Sequence, residues 1–160
     1  MNKAYIGVDP GAKGYICLLA PDSPKTIEYC SLEDAKFPPS YIYNWLKQMK
    51  AHFDIVVIMI EDVHSMHRMS AKSNFGFGYN VGSINTLCRV TGIGVDRVTP
   101  KVWQKTIGIK PKSTSIKKDV GAVCRTLYPS AEIFGARGGL IDGKSDSLMI
   151  AHYAFKQFTK

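Results

Sequence analysis

The spacing of apolar and polar positions divides the chain into ten elements. Residues 4–8, 14–19 and 26–29 read as three strands, parted by a glycine-containing turn and by a turn between Pro21 and Pro24. Residues 40–49 read as a helix with Ile42, Trp45, Leu46 and Met49 on one face. The unbroken run IVVIMI at 55–60 is the pattern of a central strand buried on both sides. A helix over 73–90 carries Gly76, Gly78 and Gly82, which implies close packing against another backbone or a later helix start. After a short strand at 94–98, Thr99 and Pro100 supply an N-cap and a first-turn proline for a helix to about residue 107. A further helix, 115–128, has Ile116, Val120, Val123 and Leu127 on its apolar face and stops at Pro129. A last helix, 145–158, turns Leu148, Ala151, His152 and Phe155 inward. The order β-β-β-α-β-α-β-α-α-α predicts an α/β domain with a mixed sheet, its first three strands antiparallel and the later ones parallel through helical crossovers.

Length adds that residues 1–160 suffice for a single domain with one buried core. The N-terminus has only a five-residue apolar stretch and no cleavage signature, and no run approaches the ~20 residues of a membrane span. A cytoplasmic protein without membrane contact is the expectation. Cys17, Cys30, Cys88 and Cys124 are scattered, without a CxxC pair, and read as reduced core thiols rather than a disulfide or zinc framework.

Charge changes the picture more. The net charge of +8 is concentrated: between residues 97 and 125 there are eight basic residues against one acid, Asp119. Such a local field suits a polyanion, although a solvated surface would carry it equally well. It gains meaning beside the acids. Asp9 follows the first strand directly, with Pro10 and Gly11 ending that strand, and Glu61 follows IVVIMI in the same way. Asp142 and Asp146, four apart at the start of the last helix, share one helical face. Alone, Asp9 could cap its turn, Glu61 could form a surface ion pair, and Asp142 or Asp146 could cap the helix. Together they form a set that would repel itself unless a hard cation intervened. Two Mg²⁺ ions about 4 Å apart are the arrangement that clamps a phosphodiester for hydrolysis.

The segments GVDPG, IED, VTPKVWQKTIGI with the following Lys117-Lys118, and SDSLMIAHYA occur in an order that resembles the RuvC-type Holliday junction resolvases, crossover junction endodeoxyribonucleases. The resemblance implies a ribonuclease-H-like fold, a mixed five-stranded sheet with helices on both faces. It further implies a homodimer and Mg²⁺- or Mn²⁺-dependent incision of four-way or otherwise branched DNA. No small-molecule cofactor is implied. Carried over, Asp9, Glu61 and Asp146 match metal-binding acids, with Asp142 as the fourth, and Lys118 (or Lys117) matches a catalytic lysine. Two departures stand out. The final acid pair is usually three apart, and His64 occupies the place of an aromatic wedge, leaving Phe75, Phe77 or Tyr79 as substitutes. The compact ending is similar to phage or viral members. DNA contacts are expected from Lys13, His64, Arg68, Lys101, Lys105, Lys110, Lys112, Lys117 and Lys144. The helix over 73–90 is the candidate dimer interface, unless Val81, Ile84 and Leu87 pack only inward.

Two other readings compete. A non-catalytic DNA-binding module would use the basic segment alone. Gly138 to Ser145 also satisfies the P-loop pattern, but AEIFGAR is a poor buried strand to precede it, and only 15 residues follow Ser145. The HxxH formed by His64 and His67 lacks further ligands, so a DNA-contacting loop is expected there rather than zinc. Trp45, Trp103 and His152 are expected in the core.

Overall fold

The computed structural model describes residues 1–11, 13–22, 25–32, 40–63, 70–110 and 114–159. The ten elements occur in the expected order: β1 (Lys3–Val8), β2 (Tyr15–Ala20), β3 (Thr26–Ser31), α1 (Ser40–His52), β4 (Asp54–Glu61), α2 (Ala71–Val90), β5 (Val95–Val98), α3 (Pro100–Thr106), α4 (Ile116–Leu127) and α5 (Asp142–Phe158). The strands form one sheet in the order β3-β2-β1-β4-β5. β1–β2 and β2–β3 are antiparallel, whereas β4 runs parallel to β1 and β5 parallel to β4. The mixed sheet expected from the hydrophobic pattern is therefore present, with the IVVIMI strand inside it.

Alternation along the strands builds a core on each side of the sheet. Tyr5, Cys17, Leu19, Val57 and Met59 point to one face, where Trp103, Val120, Cys124, Leu148 and Ala151 of α3, α4 and α5 cover them. Ile6, Ile16, Leu18, Ile58 and Ile60 point to the other, under Ile42 and Leu46 of α1 and Ile84 and Cys88 of α2. All four cysteines are free and buried. His152 is buried too, its Nδ1 2.7 Å from the Tyr128 hydroxyl.

Two glycines set how closely α5 approaches the sheet. A Cβ on Gly7 of β1 would lie 2.1 Å from the Ser147 carbonyl oxygen and 2.4 Å from the Ala151 nitrogen, both α5 backbone atoms. A Cβ on Gly143 would lie 2.5 Å from the carbonyl oxygen of Lys13, in the β1–β2 turn. The start of α5 is thus seated against the end of β1.

Some local expectations changed. α5 starts at Asp142, three residues before the expected start at residue 145. α2 starts at Ala71, because the Ser70 side chain accepts from the Ser73 nitrogen at 3.1 Å and caps it. Its glycines therefore do not mark a late start, nor do they meet another backbone among the described residues, where Cβ atoms on Gly76, Gly78 and Gly82 would have nothing within 4 Å. Ile84 is buried and Leu87 packs beside it, while Phe75 and Tyr79 are exposed. Leu127, expected on the apolar face of α4, is 40% exposed at the helix end. Among the described residues no helix is long and apolar enough to cross a membrane.

Candidate active site

The parallel pairing of β1 and β4 brings the first two acids together. Val8 lies opposite Ile60, so the next residue on each strand, Asp9 and Glu61, emerges from the same sheet edge on adjacent strands. The turn after β1 holds Asp9 in place. Its backbone nitrogen donates to the Tyr15 carbonyl at 3.0 Å, and its Oδ1 accepts from the Gly11 nitrogen at 3.1 Å. Gly14 is required there, since a Cβ would fall 1.9 Å from the Asp9 carbonyl oxygen. The turn-capping alternative for Asp9 is thus real, and it aims the carboxylate as well.

α5 supplies Asp142 and Asp146 across this edge, and the four acids feel one another. Burial pushes the Asp146 carboxyl up to about 8, reinforced by the charges of Asp9, Glu61 and Asp142 and opposed by Lys117. Burial, with Asp9 adding to it, raises Glu61 to about 7 despite a hydrogen bond from Trp103. Asp9 is raised by burial and by Asp142, against the Gly11 hydrogen bond and Lys117. Asp142 behaves oppositely: its contact with Lys117 lowers its pKa, and the same contact raises that of Lys117. This pair is largely exposed, 74% for the lysine and 37% for the aspartate side chain, and contributes little to stability.

The chemistry of the set is uniform: four carboxylates, oxygen donors only, with negative charge that one surface lysine does not neutralise. That donor set suits a hard divalent cation. Among the described residues, however, no three His, Cys, Asp or Glu side chains stand close enough to form a ready-made cage. The acids share one electrostatic environment without being drawn in around a common point.

Sequence reasoning did not foresee Trp103 at this site. It is 1% exposed, as expected of a core residue, yet its indole Nε1 donates to Glu61 Oε1 at 2.8 Å. Nor did it separate the two lysines: both are exposed on the first turn of α4, and Lys117 is the one that meets the Asp142 carboxylate. Lys13, Lys101, Lys105 and Lys110 are exposed. Lys144 is partly buried, its ammonium 4.9 Å from the Tyr29 ring centre and 5.8 Å from that of Tyr15. His64, Arg68 and Lys112 lie outside the described residues.

The P-loop pattern is not a phosphate cradle. No strand of the sheet leads into it; Phe134 and Leu140 form only an isolated bridge. The backbone nitrogens of Lys144 and Ser145 both donate to the Ile141 carbonyl, and Gly143 packs against the β1–β2 turn. The Lys144 and Ser145 amides, which a phosphate would need, are thus already engaged.

Comparison with solved structures identifies the architecture. T. thermophilus RuvC in complex with Holliday junction substrate matches 99% of this chain and 98% of its own length, with a TM-score of 0.65 and 14% identity. A second Thermus thermophilus RuvC structure matches 98% of this chain and 97% of its own length, with a TM-score of 0.59 and 16% identity. No protein-family model matches the sequence, and no curated protein matches it significantly. The fold is ribonuclease-H-like, as the ordered motifs implied.

Proposed function

We propose that the chain is a metal-dependent endodeoxyribonuclease, one nuclease domain that acts as a homodimer on branched DNA and above all on four-way junctions. The observation that supports this reading is that Asp9 and Glu61, at the ends of adjacent strands, share one electrostatic environment with Asp142 and Asp146 of α5 in a ribonuclease-H-like fold. The solved relative with a Holliday junction substrate lends the substrate class. A purely DNA-binding module would have little use for four acids gathered next to its basic surface, where they repel phosphate and oppose folding.

Asp9, Glu61, Asp142 and Asp146 would hold the cation, Mg²⁺ or Mn²⁺, with two ions per site the expected number. When bound, such ions polarise the phosphodiester and lower the pKa of water to make a nucleophile. The protein's own groups then divide the work. Asp9 and Glu61 are fixed by strand ends and present charge at defined points. Lys117, held against Asp142, stands where it can offset negative charge that grows on a phosphate in the transition state. Lys118 is the alternative for that role. Lys13, Lys101, Lys105 and Lys110 supply a field for the DNA backbone, whose affinity is expected to fall with salt; Lys144, beyond its aromatic contacts, is expected to join them. A four-way junction presents two equivalent strands, so a two-fold dimer would set one site on each. The exposed Phe75 and Tyr79 and the unobstructed glycine face of α2 support that helix as the interface.

The test is incubation with end-labelled four-way junction, flap, linear duplex and RNA–DNA hybrid, with Mg²⁺ or with EDTA, alongside sedimentation. Mg²⁺-dependent, symmetric cuts in opposite junction strands by a dimer are expected. Cleavage unaffected by EDTA would overturn the metal assignment. A monomer that ignores junctions would leave a nuclease but not a resolvase.

A further inference from the structure

Trp103 sits in an unusual position for a core tryptophan. It is buried among Met59, Val98 and Leu148, yet its one polar atom is spent on an acid 42 positions earlier in the chain. The architecture fixes both ends of that contact. Glu61 is the last residue of β4 and pairs in register with Val98 at the end of β5. Thr99 then accepts from the Val102 and Trp103 nitrogens at 3.0 and 3.3 Å, which starts α3 and brings the indole back over the glutamate. The donor type matters. A lysine or arginine here would neutralise the carboxylate and compete with a cation. An indole N–H is a neutral donor that accepts nothing, so it can orient the carboxylate while leaving its charge in the cluster.

We propose that Trp103 is a positioning residue: it holds Glu61 through Oε1 so that the rest of the carboxylate is offered to a divalent cation, and its indole emission reports that cation's binding. This rests on reading the four acids as a cation site. Groups that hydrogen-bond a ligand from outside typically affect metal affinity about 10–100-fold, so removing the indole N–H should weaken binding by about tenfold. If Trp103 were only core packing, its removal would lower stability and leave cation affinity unchanged.

The chain's only other tryptophan, Trp45, lies on α1 against the opposite face of the sheet, so Trp45→Phe isolates the Trp103 emission. Two measurements test the proposal without reference to cleavage. In the first, Mg²⁺ is titrated into the Trp45→Phe protein and into Trp45→Phe with Glu61→Gln, whose amide oxygen can still accept from the indole. A saturable change in emission is expected in the former and none in the latter. In the second, free Mn²⁺ is followed by electron paramagnetic resonance as it is titrated with wild type and with Trp103→Phe, circular dichroism checking that the variant is folded. Wild type should bind saturably and Trp103→Phe about tenfold more weakly. Should Trp103→Phe not fold, the emission experiment alone decides. Equal Mn²⁺ affinity in a folded Trp103→Phe, or Trp103 emission indifferent to Mg²⁺ in a protein that binds Mn²⁺, would overturn the positioning role and keep the cation site. No Mn²⁺ binding by wild type would overturn the cation site and this inference with it.

Discussion

Raising the pH should destabilise the metal-free protein, and Asp146→Asn should make it more stable. Asp146 moves from an ordinary value of 3.8 to about 8 in the fold, and Glu61 from 4.5 to about 7. An acid whose pKa is raised on folding binds more protons in the native than in the unfolded state between those two values. Stability is therefore full below about pH 4 and lost as pH rises toward 8. At ~1.36 kcal/mol per unit, Asp146 alone would lose about 5–6 kcal/mol on full ionisation. The Glu61 charge is one cause of the Asp146 shift, so their penalties overlap, and Asp146 keeps partial contact with solvent, which screens its charge. The expected net loss between pH 5 and pH 9 is on the order of 3 kcal/mol. Asp142, whose pKa is lowered by Lys117, titrates below this window and does not offset the slope. The assay is urea denaturation in EDTA at intervals across that range. Wild type should lose stability steadily, and Asp146→Asn, which removes the carboxyl that burial raises to about 8, should be flatter and more stable at pH 8.5. Saturating Mg²⁺ should restore wild type at pH 8.5 far more than the variant, because a cation that binds only the native state stabilises it by mass action. A flat wild-type profile in EDTA, or an Asp146→Asn protein no more stable than wild type at pH 8.5, would refute the reasoning.

Asp9→Asn and Glu61→Gln should each abolish cleavage while a gel shift in EDTA shows junction binding close to wild type, since affinity comes from the basic residues; full activity in Asp9→Asn would remove the metal site. Lys117→Ala should reduce the rate at saturating Mg²⁺ by about 10²-fold and leave affinity less affected, with a smaller effect from Lys118→Ala; single-turnover rates that reverse this order would return the catalytic role to Lys118. Gly7→Ala should destabilise the fold by about 1–3 kcal/mol or more, because the new Cβ meets α5 backbone rather than a movable side chain. Its urea midpoint checks this, and an unchanged midpoint would mean that α5 does not lie as close to β1 as described.

The elements were legible because each has a long or clean hydrophobic period. IVVIMI could only be a doubly buried strand, and three short strands before the first helix could only begin as a meander. Boundaries were less legible where a local device overrides the period. Ser70 caps α2 ahead of its apolar residues, and α5 begins at Asp142 although its first large apolar side chain is Leu148. The acids were legible for a similar reason: two lie where a strand must stop, and two share a helix face.

The residues that sequence reasoning missed act through contacts between distant segments. Trp103 has the spacing of a core residue and is one; only the parallel pairing of β4 and β5 shows that its N–H falls on Glu61. Lys117 and Lys118 are adjacent and chemically identical, so choosing between them depends on the rotation of α4 relative to α5, which no local pattern records. The glycines make the same point in reverse. Gly76, Gly78 and Gly82 looked like a packing surface, yet among the described residues a Cβ on any of them meets nothing, whereas Gly7, read only as part of a strand, and Gly143, read only as part of a P-loop pattern, are in close backbone contact. A glycine inside a strand is conspicuous only when something presses on it, and what presses on Gly7 is the helix that carries Asp142 and Asp146. The close approach of α5 to β1 is thus the condition that brings two acids on strands and two on a helix into one electrostatic environment.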